Sequence, residues 1–246
     1  MVKFYESTFQ YDYSFPAVTL AYFLRYPNPY STHVLSTDVI SRNIDTAGRL
    51  HTLRVHRKSS RLPSAVLKLL PQSVLGNVSG GKSESYILES STIDIHEGWM
   101  KTESKNLDWT GILSVVEKQE YTRNVPADED DNLSLEVGTT GVVTTVMFKS
   151  RLGDRLRARA TRKGEAAAEE GEEPKKGFLA SWSTSGIQRS IEAIASRKTE
   201  KQLGKSKEGM QVVLERLRNG GLVAVLDGMR KDRETAFGRD GVWKNT

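Results

Sequence analysis

Eight basic side chains mark where this chain can hold an anion: Arg25, His33, Arg54, Lys58, Arg61, Lys149, Lys198 and Lys205. A phosphate withdrawn from bulk water needs paired charge and donors, because a contact worth ~1 kcal/mol in water becomes several in a low-dielectric pocket. A second phosphate-type signal is Gly76-Asn-Val-Ser-Gly-Gly-Lys82-Ser83, which fits the phosphate-loop pattern in full. Leu222–Asp227 even mimics the acidic strand end that holds Mg²⁺ in such proteins. That chemistry works only when the lysine-serine pair opens a helix whose N-terminus faces the phosphates. Here SESYILESSTIDI follows and alternates like a strand, so nucleotide binding is the lesser reading. Metal chemistry fares no better. His51 and His56 lie five apart on one predicted strand and point to opposite faces, while His33 and His96 are lone. There is no cysteine, no nucleophile elbow and no triad, so neither an enzyme nor a cofactor is expected.

Positioning these cations falls to a chain of 246 residues, long enough to bury a real core. No stretch approaches the ~20 apolar residues of a membrane-spanning helix. The N-terminal MVKFYESTFQYDYSF alternates and carries acids, unlike a signal peptide or an Arg-rich presequence. Net charge is +5, distributed unevenly: residues 1–150 hold 15 basic and 17 acidic side chains, residues 151–246 hold 21 and 14. The basic half suits an anionic partner, either acidic headgroups or nucleic acid. Single-strand binding wants aromatics among the cations, and 151–218 offer only Phe178 and Trp182, so nucleic acid is the weaker choice.

In chain order, Lys3–Tyr13 reads as a strand and Ser14 as the cap of a helix with Pro16 in its first turn. Pro27 and Pro29 stop that helix in a rigid corner at RYPNPYSTH. Strands follow at His33–Asp45 and Arg49–Lys58 about a turn at Asp45–Gly48, then at Tyr86–His96, Trp99–Leu107, Ile112–Tyr121 and Gly141–Leu152. Between them LPSAVLKLLP (62–71) is a short apolar segment bracketed by prolines. Residues 153–176 are charge-segregated and expected to be disordered. A long helix is expected from about Ser181 to Arg218, ending at Gly220-Gly221. Its stripe Ile187, Ile191 and Ile194 runs on to Lys198, Gln202 and Lys205 before apolar residues resume at Met210, Leu214 and Leu217. Either the helix bends near Gly204 and exposes the lysines, or its sheet-facing stripe turns cationic halfway.

Sequential strands on short turns cannot form a parallel α/β sheet, which needs a crossover helix per pair. The pattern predicts an α+β helix-grip (START-like) fold. A seven-stranded curved antiparallel sheet would wrap the long C-terminal helix, with a short N-terminal helix and an elongated apolar cavity between. One domain would span 1–218, followed by a tail at 219–246.

Three stretches in order, RYPNPYSTHVLSTDVISRNID (25–45), RKSSRLP (57–63) and KNLDWTGIL (105–113), resemble the PRELI-like lipid-transfer proteins of the mitochondrial intermembrane space. The likeness is to the yeast Ups branch, which carries phosphatidic acid. It implies the same helix-grip architecture and favours the cationic reading of the helix stripe. It also implies transfer of phosphatidic acid between outer and inner mitochondrial membranes for cardiolipin synthesis, with phosphatidylserine as the alternative cargo. The family's headgroup-binding cations map onto Arg25, His33, Lys58 and Arg61, the last where yeast-like members carry lysine.

Enclosure is what such a cargo requires. About thirty methylenes at ~0.8 kcal/mol each make bare acyl chains too costly to cross water. LPSAVLKLLP then reads as a lid whose Leu62, Val66, Leu69 and Leu70 cover the cavity in water and dip into the membrane surface on docking. Ala65 stands where some relatives place a tryptophan. The family's partner, a small helical-hairpin protein with paired cysteines, is expected here too. Arg25→Glu is expected to abolish transfer while leaving the fold intact.

Overall fold

A computed structural model describes residues 2–61, 78–79, 82–108, 110, 113–124, 138–150 and 184–238. Strand β1 (Val2–Tyr11) leads into helix α1 (Phe15–Phe23), then come β2 (Val34–Ile44), β3 (Leu50–Arg61), the two-residue β4 (Val78–Ser79), β5 (Lys82–Asp94), β6 (Trp99–Asn106), β7 (Leu113–Asn124) and β8 (Thr139–Ser150). Helix α2 (Thr184–Phe237) closes the chain. All strand pairs are antiparallel, in the order β1-β8-β7-β6-β5-β3-β2, with β4 beside β5. This is the expected helix-grip architecture.

Turns supply the reversals. Asp45 Oδ1 accepts from the backbone N–H of Ala47 and Arg49, both at 2.9 Å, and Gly48 takes the left-handed φ of +79° that closes the β2–β3 turn. Asp94 and Gly98 repeat the device between β5 and β6, with Glu97 N donating to Asp94 Oδ1 at 2.9 Å. Helix α1 buries Phe15, Ala17, Val18, Thr19, Ala21 and Tyr22. Ser14 occupies the N-cap position, but its hydroxyl makes no capping bond and finds no partner among the described residues. Only its carbonyl serves the helix, accepting from Val18 N at 3.0 Å.

The registers stack the inward side chains in layers. At the closed end Leu50, Ile93, Met100, Tyr121, Val142 and Phe9 face one another across six strands and form an apolar floor. Above it Thr52, Ser91, Thr102, Gln119, Thr144 and Ser7 make a layer of hydroxyls and one amide. The third layer holds Arg54, Glu89, Ser104, Glu117, Val146 and Tyr5. Beyond it His56 pairs in register with Ile87 and Ile87 with Asn106, and Val115 with Phe148. Strand alternation fixes this order, since residues two apart share a face.

Helix α2 lies across the concave side. Met210, Val213 and Leu214 are buried against the floor and α1, while Gln202, Leu203, Lys205 and Ser206 sit over the charged layer. Gly204 is helical, so the bend considered there does not occur; the break is at Gly220 and Gly221, the latter with φ of +61°. The residues after it turn back as helix. Val225 is buried in the core cluster and Arg216 Nη1 donates to Asp232 at 2.6 Å, so the tail packs on the helix that precedes it. The expected lid 62–71 and the charged stretch 153–176 lie outside the described residues.

Candidate functional site

The Pro27–Pro29 corner does what its sequence implies: it ends α1 and turns the chain beneath α2. Asn28, buried, donates from Nδ2 to the Arg25 carbonyl at 2.5 Å and accepts from Tyr30 N at 2.9 Å. Its amide lies so close to Gly209 of α2 that a Cβ there would meet Asn28 Nδ2 at 2.8 Å. The glycine lets helix and corner touch, and that contact fixes where Arg25 begins its reach.

Arg25 points into the molecule. Its guanidinium lies 3.7 Å from the Tyr22 ring centroid, donates from Nη1 to the Tyr22 carbonyl at 2.9 Å, and pairs through Nη2 with Glu89. Arg54 donates from Nε to Glu89 Oε1 at 2.9 Å and again through Nη2. His56 Nε2 lies 3.1 Å from Glu89 Oε2, and its Nδ1 lies 2.9 Å from the Thr37 hydroxyl. Glu89 is 1% exposed. Burial alone would raise its carboxyl, but Arg25, the His56 hydrogen bond and Arg54 hold it well below the usual carboxylate range. Burial lowers His56, with Glu89 opposing and the two arginines assisting. The neutral imidazole thus donates to Glu89 and accepts from Thr37.

Above this cluster opens a cavity of about 290 Å³. Arg25, His56 and Glu89 form part of its base, with Glu117 and Gln119 beside them. His33, Lys58 and Lys205 add basic groups, and Ile87, Leu113, Val115, Val146, Phe148 and Leu203 add apolar wall, while Lys105, adjacent in sequence to the inward Ser104, is exposed on the other face. Among the side chains that face it Arg25, Lys58 and Lys205 carry fixed positive charge and two are carboxyls, so the cavity favours an anion. Its apolar wall lies toward the strand ends at Leu113, Val115 and Phe148, above the charged layer. The volume lies at the low end for small-ligand pockets, and the cavity is mixed in character rather than the long apolar one expected.

Of the candidate cations, Arg25, His33, Lys58 and Lys205 line this cavity. His33 Nε2 lies 3.1 Å from Gln202 Nε2, joining the corner to α2. Arg54 belongs to the same charged layer but sits behind Glu89, outside the lining. Lys149 is exposed on β8, adjacent in sequence to the inward Phe148 and so on the other face. Arg61 pairs in register with Lys82 at the end of β3, and Lys198 lies on α2. The lid residues Leu62, Val66, Leu69 and Leu70 fall outside the described residues. Lys82 and Ser83 of the phosphate-loop look-alike open strand β5, not a helix, as their context predicts.

Sequence reasoning passed over Glu89 and Glu117. The signal was present: in YILES and LSVVEKQEY each glutamate occupies the same parity as apolar core residues, Ile87 and Ile93 for one, Leu113, Val115 and Tyr121 for the other. A carboxylate on the core face of a strand needs a partner or a purpose.

Comparison with known proteins finds relatives in sequence. A family model described as the PRELI-like family matches residues 16–163. "Protein UPS1, mitochondrial" of Saccharomyces cerevisiae is 43% identical over 121 residues, covering 49% of this chain and 64% of that protein. "Protein ups1 homolog" of Schizosaccharomyces pombe is 43% identical over 117 residues, covering 48% and 61%. "PRELI domain-containing protein 1, mitochondrial" of Bos taurus is 32% identical over 124 residues, covering 50% and 53%. The match therefore spans less than two thirds of each relative. Among solved structures, the Zhui aromatase/cyclase of Streptomyces sp. R1128 overlays at 12% identity with a TM-score of 0.42, covering 89% of this chain and 98% of that one.

Proposed function

The chain belongs to the PRELI-like family, and from that premise we propose that it is a mitochondrial carrier of an anionic phospholipid, phosphatidic acid, between the outer and inner membranes. The observation that carries this reading is the order of layers: a charged layer lies between an apolar floor and an apolar wall at the open strand ends, and Lys58 and Lys205 add positive charge to the cavity around it. A headgroup phosphate would rest among Arg25, Lys58, Lys205 and His33, with its glycerol and first methylenes against Val115, Leu113 and Phe148. A cavity of about 290 Å³ takes the headgroup, so the acyl chains extend past the strand ends, where the 62–71 segment is proposed to act as a lid. Arg61, Lys149 and Lys198 stay with this reading as cations offered to the same anion or to an anionic membrane surface. The mitochondrial address, the supply of cardiolipin synthesis and the twin-cysteine helical-hairpin partner are carried over from relatives and the family resemblance.

Catalysis has no part in this proposal. Transfer needs extraction, enclosure and release, and each is an equilibrium between membrane and cavity rather than a bond made or broken. Native mass spectrometry of the purified chain is expected to show one co-purified phospholipid, and liposome assays to show movement of phosphatidic acid. A protein that carries no lipid and moves none would overturn the reading. ATP binding by calorimetry that disappears in Lys82→Ala would replace it with the phosphate-loop alternative.

A further inference from the structure

Glu89 and Glu117 occupy one transverse layer, separated by Ser104 on the strand between them, so about 9.5 Å of sheet divides their backbones. Glu89 has three basic partners. Glu117 makes no hydrogen bond or ion pair with any described residue, yet faces the cavity from the middle of β7. Its neighbours Val116 and Lys118 point to the other face, and its own open part is the part that meets the cavity. Groups facing it come from every side. Lys58 of β3 and Arg25 of the corner attract its charge, and Glu89 of β5 repels it. His56, His33, Gln119 of its own strand and Lys205 of α2 line the same space.

A free carboxylate beside a phosphate site is a contradiction in charge. Two anions in one partly desolvated cavity repel, unless one takes a proton. A phosphate monoester presents three terminal oxygens. After two accept from Lys58 and Arg25, a third can accept from a carboxylic acid.

We propose that Glu117 is the headgroup-selecting residue of this cavity, entering the complex as a carboxylic acid that donates to a phosphate-monoester oxygen, so that lipid anion and proton are taken up together. This rests on the carrier reading above and names what its site selects. Protein enclosure already disfavours the ionised form of Glu117, and an arriving anion disfavours it further. An ammonium-bearing headgroup would do the reverse, keeping Glu117 ionised as its partner and releasing protons on binding.

The test is calorimetry of the full chain with dihexanoyl phosphatidic acid in two buffers of different ionisation enthalpy. The lipid's own phosphate titrates identically against wild type and Glu117→Gln, so the difference between the two proteins reports Glu117 alone. Between the free and the bound pKa of Glu117, wild type is expected to take up close to one more proton than the variant. Its affinity should fall by up to about tenfold per pH unit relative to the variant between the free and bound pKa of Glu117. Equal proton uptake in both proteins overturns the proposal and leaves the carrier standing. A preference of wild type for dihexanoyl phosphatidylserine, with proton release that Glu117→Gln removes, overturns it in favour of ammonium recognition. Failure of wild type to bind either lipid overturns the carrier reading itself. If Glu117→Gln does not fold, Glu117→Leu, which fills similar space without a titrating group, replaces it as the reference. Proton uptake equal to wild type in that variant sinks the proposal in the same way.

Discussion

Glu89 and Glu117 are the same residue type on the same layer of the same sheet, and the protein treats them oppositely. Around Glu89 every lone pair is engaged: Arg54 on Oε1, Arg25 and His56 on Oε2, with Tyr22 stacked beneath Arg25. Such a cluster need not stabilise the fold relative to apolar packing, but it penalises any change to one member. Around Glu117 the fold leaves space, and its cost is borne by the native state. One carboxyl locks the corner, α1 and the sheet together; the other is available to something that enters. The stability-bearing carboxyl and the ligand-facing one lie two strands apart.

Breaking the locked side should produce the largest effect. Glu89→Ala leaves two arginines buried without a counter-charge and is expected to cost about 3–5 kcal/mol in urea unfolding. Arg25→Glu should be at least as damaging, because it sets a carboxylate against Glu89 inside the core. The expectation that Arg25→Glu spares the fold therefore fails on the structure: Arg25 is 8% exposed and paired, not a free rim cation. A cooperative unfolding curve for Arg25→Glu at wild-type stability would show that Glu89 does not depend on it.

Acid sharpens the comparison, because the two carboxyls respond with opposite signs. His56 is neutral in the fold with its pKa lowered, so stability begins to drop as pH falls below the unfolded value of about 6.5. Glu89, depressed in the fold, adds a further loss below the unfolded value of about 4.3, continuing down to its folded value. Glu117 has a raised pKa and works the other way, relieving strain as pH falls toward about 4.3. Unfolding free energies measured at pH 8, 6 and 4 should fall steadily, with the upper part of the fall absent in His56→Gln if that variant folds.

Much of this was legible beforehand, and the reason is periodicity. Seven strands, the β2–β3 turn at Asp45–Gly48 and the helix break at Gly220-Gly221 each follow from a local rule about alternation, turn residues or glycine. The cations Arg25, Lys58 and Lys205 were legible as types, and the cavity gathers them from three elements. What the pattern hid was pairing. No local rule says that Arg54 and Arg25, 29 positions apart, share one carboxylate 35 positions beyond the first, because register across β3 and β5 decides it. The tail was illegible for a related reason: Arg216 and Asp232 meet only because the chain folds back at Gly221.

On the open side the effects move from stability to binding. Lys58 and Lys205 line the cavity without a described ion-pair partner, and Lys205 is exposed. Lys58→Ala and Lys205→Ala should change unfolding free energy by no more than about 0.5 kcal/mol. Each should weaken phosphatidic acid binding roughly tenfold by calorimetry, the loss of one charge-assisted contact. Unaltered affinity in both variants would place the phosphate elsewhere in the cavity and leave Glu117 with no anion to meet.

The smallest effect is the one that separates the two glutamates most cleanly. A carboxyl whose pKa is raised on folding is held in a site that disfavours its charge, so it contributes instability wherever the unfolded chain would ionise it. That window opens above about pH 4.3, widens to the folded pKa and stays constant beyond it. Glu117→Gln keeps the shape and removes the charge, so unliganded protein should melt at most about 4 °C higher at pH 7, equivalent to ~1 kcal/mol for a chain of this size. Near pH 4, where both forms are neutral, the difference should vanish. The same replacement at Glu89 should lower the melting point at pH 7, since there the fold favours the charge. Equal signs for the two variants would mean that Glu117 is a satisfied structural residue like its neighbour. Opposite signs would show that the fold holds one carboxylate as a counter-ion and keeps the other, at a cost in stability, for a ligand.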